Sequence, residues 1–319
     1  MPALLLSASD VRRCLPMDRA VLAVEDAFRS MALGKARMPP KVYLDLHEFQ
    51  GDFRAMPGFL GDYAGLKWVN VHPENPKRYG KAAVRALFVL SDPKDAEPLA
   101  VMDATVLTAM RTGAAGGVAS KHLAVEKPKT VGFVGAGVQA RTLLAAHRAV
   151  FGDSFEVLVA DARRESAERF AAEAKGRVVS IEEAARADVL CTSTPAHGPV
   201  VTRSAVGPHT HINAIGADAA GKQELDPAIL RDARVYVDDP AQAFHSGEVN
   251  VPIRDGLYRP EAVAGTLGEI IAGTKSSPRG TGLTVFDSTG LAVQDVAVGR
   301  VVFEEAKRLG LGTPFDFFA

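Results

Sequence analysis

The sequence predicts an α/β fold in which a doubly wound parallel sheet is inserted into a mixed α+β domain, and three observations predict it. At 319 residues the chain exceeds the size at which one hydrophobic core stops growing, so two domains are expected. Between Lys41 and Leu90 short alternating segments are separated by turn signals, the texture of antiparallel sheet. From Lys129 onward apolar strands alternate with helical segments, which is how a parallel sheet reads.

The elements follow in order. MPALLLSASDVRRC opens on an apolar run with no preceding positive charge and no small-residue cleavage site, so it reads as a first strand. Met17 to Lys35 sets Ala20, Val21, Val24, Ala27, Phe28 and Met31 on one stripe of an amphipathic helix. The segments KVYLDL, GLKWVNV and AVRALFVL read as strands, and Asp103 is placed to cap a helix running to about Leu123. Parallel strands are expected at TVGFV, Glu156–Ala160, Val178–Ser180, Val189–Thr192, His211–Ile215, Val235–Val237 and Thr284–Phe286. A last helix, from about Val293 to Leu309, is apolar on more than one side and is expected to return to the first domain. The expected division is therefore 1–120 and 291–319 for a substrate and dimerisation domain, with 121–290 inserted between them.

Composition excludes several functions. Charged residues are 24% of the chain and the net charge is −1, so no basic surplus is present to neutralise nucleic acid. No apolar stretch approaches the roughly 18 residues that a membrane span needs. Two cysteines, Cys14 and Cys191, make no disulfide framework, and a reducing cytoplasm fits them.

Gly135-Ala136-Gly137-Val138-Gln139-Ala140 is a G-x-G-x-x-A string, weak alone but here following a strand and opening a helix. The next strand ends in Asp161, about 20 residues on, as a dinucleotide-binding Rossmann unit requires. Gly135 permits the tight turn, Gly137 lets backbone approach a pyrophosphate, and Ala140 allows helix and strand to pack closely. A strand–helix turn without a ligand is the alternative, and the context weighs against it. Asp161 would accept the ribose hydroxyls and repel a 2′-phosphate, which favours NAD over NADP, although Arg163-Arg164 just beyond would attract that phosphate. Ser193-Thr194-Pro195 and Gly216-Ala217-Asp218 follow parallel strands and are candidate crevice loops; plain turn chemistry explains them equally well.

The first domain carries Lys41, Arg54, Lys67 and Arg111 in apolar surroundings. Taken singly, such a cation is more often a solvated surface charge. Arg111 opens a stretch, Thr112 to Gly117, so poor in large side chains that another backbone or a ligand must approach it. His209 and His211 share one face of a strand, but no Cys or acid cluster completes a metal site, so no metal is expected. His72 and His197 are crevice lining at most, and Cys191 reads as a small core residue.

Lys67-Trp68-Val69-Asn70-Val71-His72-Pro73-Glu74-Asn75-Pro76, Met110-Arg111-Thr112-Gly113-Ala114-Ala115, Val134 to Ala140 and Asp287-Ser288-Thr289-Gly290 together resemble the ornithine cyclodeaminase/mu-crystallin family, in the family order and over nearly the whole chain. The resemblance implies a Rossmann domain inserted into a substrate and dimerisation domain, a homodimer, and an active site in the cleft between domains. It also implies that Lys67 and Arg111 hold the substrate carboxylate, that Lys67 moves a proton, and that Asp218 faces the substrate amine. Thr112, Gln139, Asp161 and Ser288 match cofactor contacts. The expected cofactor set is therefore Thr112, Gly135, Gly137, Val138, Gln139, Asp161, Arg163, Ser193, Thr194, Gly216, Ala217 and Ser288. These roles suit the residue types, since an arginine fork fixes a carboxylate plane and a desolvated lysine beside a cation titrates near neutrality.

Within the family, cyclodeaminases carry a Glu two residues before the Met-Pro at Met56-Pro57, where this chain has Arg54, a residue that would repel a distal ammonium. Met38 to Leu44 with Gly51 to Pro57 most resemble the archaeal-type alanine dehydrogenases, a branch in which Lys41 and Arg54 are expected to contact the substrate acid. The resemblance thus implies NAD-dependent, reversible oxidation of a small 2-amino acid, L-alanine first, to pyruvate and ammonia. A ketimine or pyrroline-2-carboxylate reductase, an ornithine cyclodeaminase and a non-catalytic, cofactor-loaded ligand binder of the mu-crystallin type are the alternatives. Lys67 and Asp218 together weigh against the binder.

Overall fold

In the computed structural model, which describes residues 2–319, the chain divides into two compact units, Met1–Arg111 with Leu291–Ala319, and Thr112–Gly290. The first division falls at Arg111/Thr112 and not at residue 120 as the sequence suggests. The reason is the small-residue run: a Cβ on Gly113 would lie 2.4 Å from the Thr142 backbone, and one on Gly117 2.8 Å from Ala146 Cβ. This part of the helix therefore packs against the Val138–Phe151 helix within the second unit, which brings backbone onto Gly113 and the Leu143 and Ala146 side chains onto Gly116 and Gly117.

The first unit is built on an eight-stranded mixed sheet. Its order runs Thr313–Phe315, Ala3–Leu6, Pro98–Asp103, Val84–Ser91, Tyr63–Val71, Gly51–Leu60 and Ala36–Arg37, with Val42–Leu46 also paired to Gly51–Leu60. Helices Met17–Ala32 and Ala292–Leu309 pack on each other, and the latter also packs on the Gly51–Leu60 and Tyr63–Val71 strands. Alternation decides which side chains the helices cover, because successive strand residues point to opposite faces. Met56, Lys67 and Phe88 pair across three strands and are buried. On the other face Val42, Trp68 and Leu87 are 62%, 42% and 56% exposed. A cation faces in and a tryptophan faces out.

The second unit is an eight-stranded, all-parallel sheet in the order Arg177–Val178, Glu156–Ala160, Thr130–Val134, Val189–Thr192, His211–Ala214, Thr284–Asp287, Arg234–Val237 and Gly265–Thr266. Its central strands are buried throughout, the pattern of a sheet covered on both faces. The Ala104–Leu123 helix begins where Asp103 accepts the Val106 N–H at 2.9 Å, as its position at the end of a strand suggested. The short Gly265–Thr266 strand at the sheet edge carries too little apolar pattern to be read from sequence.

A buried polar chain crosses this core. His147 Nδ1 lies 2.7 Å from the Leu143 carbonyl and must donate to it, so Nε2 accepts from Ser120 Oγ at 2.8 Å. Asn213 donates to the same Ser120 oxygen at 2.8 Å, and its Oδ1 lies 3.3 Å from His211 Nε2. His211 Nδ1 in turn meets the Thr284 hydroxyl at 2.9 Å. Both imidazoles are held neutral: burial pulls His147 down to about 4 and His211 down to about 3. Below pH 6.5 the unfolded chain takes up protons that folded His147 refuses, so stability falls until about pH 4, where the folded form protonates too. Urea unfolding should therefore show the native chain losing on the order of 3 kcal/mol more than His147→Gln between those pH values. Parallel profiles for the two proteins would mean that His147 is not held neutral.

Candidate active site

The first unit brings three of the four sequence-marked cations into one electrostatic group. Lys67 is fully buried, and its Nζ lies 2.7 Å from Asp295 Oδ2 on the Ala292–Leu309 helix. Arg111 Nε lies 3.3 Å from the other oxygen, Asp295 Oδ1, and its NH1 donates to Gln294 Oε1 at 3.4 Å. Burial pulls the Lys67 ammonium down to about 7, helped by Arg111 and Lys41 and opposed by Asp295. Lysine, arginine and carboxylate thus meet in a dry setting where a proton leaves Lys67 near neutrality.

Arg54 lies on the same sheet face, two strand positions from Met56, which pairs with Lys67. It is buried and gripped at both ends by Asp52, Nε to Oδ1 at 2.8 Å and NH2 to Oδ2 at 2.9 Å, with its guanidinium over the Tyr43 ring. Lys41 is half-buried just before the Val42–Leu46 strand.

In the second unit the cofactor candidates gather at the carboxyl ends of the parallel strands. Gly135 turns with φ +98°, and a Cβ there would meet the Ser193 carbonyl at 2.7 Å. Gly137 is the N-cap of the Val138–Phe151 helix with no side-chain cap, and nothing lies within 4 Å of where its Cβ would be. Free N–H groups at an open helix start form an anion site. Ala140 is fully buried and Val138 is exposed. Gln139 Oε1 accepts from the Thr142 hydroxyl at 3.3 Å, and Thr112 is buried on the Ala104–Leu123 helix.

Asp161 ends its strand and grips backbone with both oxygens, taking Ala136 N–H and Arg163 N–H each at 2.8 Å. Arg163 and Arg164 extend outward, largely exposed. The Ser193 and Ser288 hydroxyls are buried with no hydrogen-bond partner among the described residues, orphans that fit a bound polar ligand. The glycine turn, the open helix start, Asp161 and these two hydroxyls suit a dinucleotide.

Three carboxylates outside the sequence-marked set hold these loops. Glu224 takes Thr194 N–H at 2.6 Å, Gly216 N–H at 2.8 Å and the Thr192 hydroxyl at 2.7 Å, tying two crevice loops to one side chain. Asp238 takes the N–H groups of Thr289 and Gly290, each at 2.7 Å, beside Ser288. Asp287 takes Val249 N–H at 3.1 Å, and burial pushes it up to about 8. Asp218, after Gly216 and buried Ala217, is paired with Lys222 at 2.6 Å.

Asp295 and Glu224 escaped the sequence reading. A signal existed for Asp295, an acid in the mostly apolar stretch Leu291 to Phe303, since a carboxylate on the buried face of a helix must find a partner. Glu224 sits among polar loop residues and offered none.

Comparison with known proteins identifies the family. Residues 1–309 match the model of the ornithine cyclodeaminase/mu-crystallin family. An alanine dehydrogenase of Archaeoglobus fulgidus is 50% identical over 100% of this chain and 99% of its own length. A solved archaeal alanine dehydrogenase dimer with bound NAD superposes with a TM-score of 0.96 at 50% identity, covering 100% of both chains. A Thermococcus litoralis Delta(1)-pyrroline-2-carboxylate reductase, solved with NADH and L-proline, has a TM-score of 0.92 at 35% identity over 97% of this chain and 99% of that one. On fold, motifs and full-length likeness together, the chain belongs to the ornithine cyclodeaminase/mu-crystallin family.

Proposed function

We propose that the chain is an NAD-dependent amino-acid dehydrogenase that converts L-alanine reversibly to pyruvate and ammonia. The observation that carries this is the 50% identity, over the full length of both, with an alanine dehydrogenase. The buried Lys67 cluster supplies chemistry to match.

Arg111 holds the substrate carboxylate with its guanidinium fork, and Lys41 and Arg54 add positive charge to the same acid-binding group. Thr112, Gly135, Gly137, Val138, Gln139, Asp161, Arg163, Ser193, Thr194, Gly216, Ala217 and Ser288 hold the dinucleotide. When bound, its nicotinamide accepts or donates the hydride at the substrate Cα. Lys67, neutral above about pH 7, takes a proton from the water that attacks the imino acid. Asp218 faces the amine and stabilises its charge as ammonia departs. Arg54 opposes any substrate with a distal ammonium, which counts against ornithine.

The Thermococcus litoralis relative supports a second reading, reduction of a cyclic 2-imino acid with the same carboxylate clamp. The exposed Val42, Trp68 and Leu87 row supports a homodimer joined through this sheet face. The thiols of Cys14 and Cys191, both free, fit a cytoplasmic enzyme.

NADH oxidation by pyruvate plus ammonium, set beside pyrroline-2-carboxylate alone, tests the substrate. Turnover that requires both pyruvate and ammonium is expected, and turnover with the cyclic imine alone would replace alanine with that substrate. Lys67→Ala should lower turnover by about 10² to 10⁴ while still binding NADH. Alanine oxidation should rise with pH through about 7, since Lys67 must be neutral to act as base, and the reverse reaction should fall there. For the cofactor, Asp161→Asn should raise the NADPH-to-NADH ratio of kcat/KM by about tenfold or more, the effect of removing one carboxylate–phosphate repulsion of about 1.4 kcal/mol beside Arg163. An unchanged ratio would show that Asp161 does not select the cofactor.

A further inference from the structure

We propose that Asp295 is a positioning residue of the reaction, one buried carboxylate that seats both Lys67 and Arg111 and thereby sets where Lys67 holds its proton. This rests on the proposed function, in which Lys67 is the proton-transfer group.

The placement of Asp295 is not that of a surface charge. It is fully buried on the Ala292–Leu309 helix among Val293, Val296, Ala297 and Val298, all buried as well. An acid there is tolerated only with compensation, and its two oxygens are divided between two cations from two other elements. Oδ2 meets Lys67 Nζ of the Tyr63–Val71 strand at 2.7 Å, and Oδ1 meets Arg111 Nε of the Ala104–Leu123 helix at 3.3 Å. A single side chain thus fixes the spacing between the proposed proton carrier and the proposed carboxylate fork.

The burial of the Lys67 contact adds a second observation. Nitrogen and oxygen stand 2.7 Å apart with both side chains fully buried, so water does not screen the pair. Asp295 therefore bears directly on where the Lys67 proton resides. Gln294 reinforces the seat, accepting from Arg111 NH1 at 3.4 Å and from Leu291 N–H at 3.2 Å.

The charged groups acting on Lys67 come from every side of it: Arg111 from the Ala104–Leu123 helix, Lys41 from the segment before the Val42–Leu46 strand, and Asp295 from the last helix. Burial, Arg111 and Lys41 drive the proton off, and Asp295 retains it. Neutralising Asp295 must therefore make Lys67 lose its proton at lower pH.

The experiment is the pH profile of kcat/KM for alanine oxidation in the full-length chain, for the native protein, Asp295→Asn, Asp295→Glu and Lys67→Ala, with NADH fluorescence titration as the control for a folded cofactor domain. Asp295→Asn should move the rising limb down by about one pH unit and lower the plateau by on the order of a hundredfold, the effect of a displaced reacting group. Asp295→Glu keeps the charge on a longer stem, so its limb should stay in place while kcat falls at least about tenfold at unchanged KM for NAD. A limb that does not move in Asp295→Asn overturns the proposal. If Asp295→Asn fails to bind NADH, Asp295→Glu decides, and native kcat in that variant overturns it. Lys67→Ala separates the two layers. If it turns over normally, the proton-transfer reading fails; if it is inactive while the Asp295 variants behave as native, only the assignment of Asp295 fails.

Discussion

A lysine ammonium taken out of water costs several kcal/mol unless an anion meets it, and much of the first unit follows from meeting that requirement at Lys67. The Tyr63–Val71 strand turns Lys67 inward beneath the last helix. The helix answers with Asp295, and the geometry that brings Asp295 to Lys67 also brings it to Arg111. Because the pleat alternates, the neighbours Leu66 and Trp68 are turned outward, leaving apolar side chains on a sheet face that is ordinarily polar when solvated.

The second unit applies carboxylates differently. Asp161, Asp188, Glu224 and Asp238 all end as acceptors for backbone N–H groups at or near strand termini. A loop that must leave its own N–H groups open to a ligand lacks a regular ladder to hold it, and an acid taking two or three of its amides gives it a defined shape without adding bulk at the crevice. Glu224 shows the benefit most clearly, since Thr194 and Gly216 belong to loops after different strands and share one side chain. Burial raises Glu224 and Glu248, so these acids sit in tension between desolvation and the amides they satisfy.

What was legible in the sequence was local. The G-x-G-x-x-A turn, Asp161 at the end of the next strand and the switch from alternating to strand–helix texture each follow from neighbouring residues, and the structure has them where that reasoning put them. Lys67 and Arg111 were marked by apolar neighbours, but it was the family resemblance of their segments that gave them roles. Their partner did not stand out, because 184 residues separate Arg111 from Asp295 and only the tertiary fold joins them. Arg54 gives the reverse case: its bidentate partner is Asp52, two positions away on the same strand face, a pairing contained in the alternation of the strand itself. The small-residue run after Arg111 announced a close approach without saying of what, and the answer lay in a helix that begins at Val138.

The two cysteine sulfurs have a consequence of their own. Cys14 and Cys191 are both buried, and desolvation raises both thiols, Cys191 up to about 12. Since the thiolate is the form that attacks alkylating reagents and peroxides, the folded surroundings slow both sulfurs, and faster modification of either thiol marks a core that has opened.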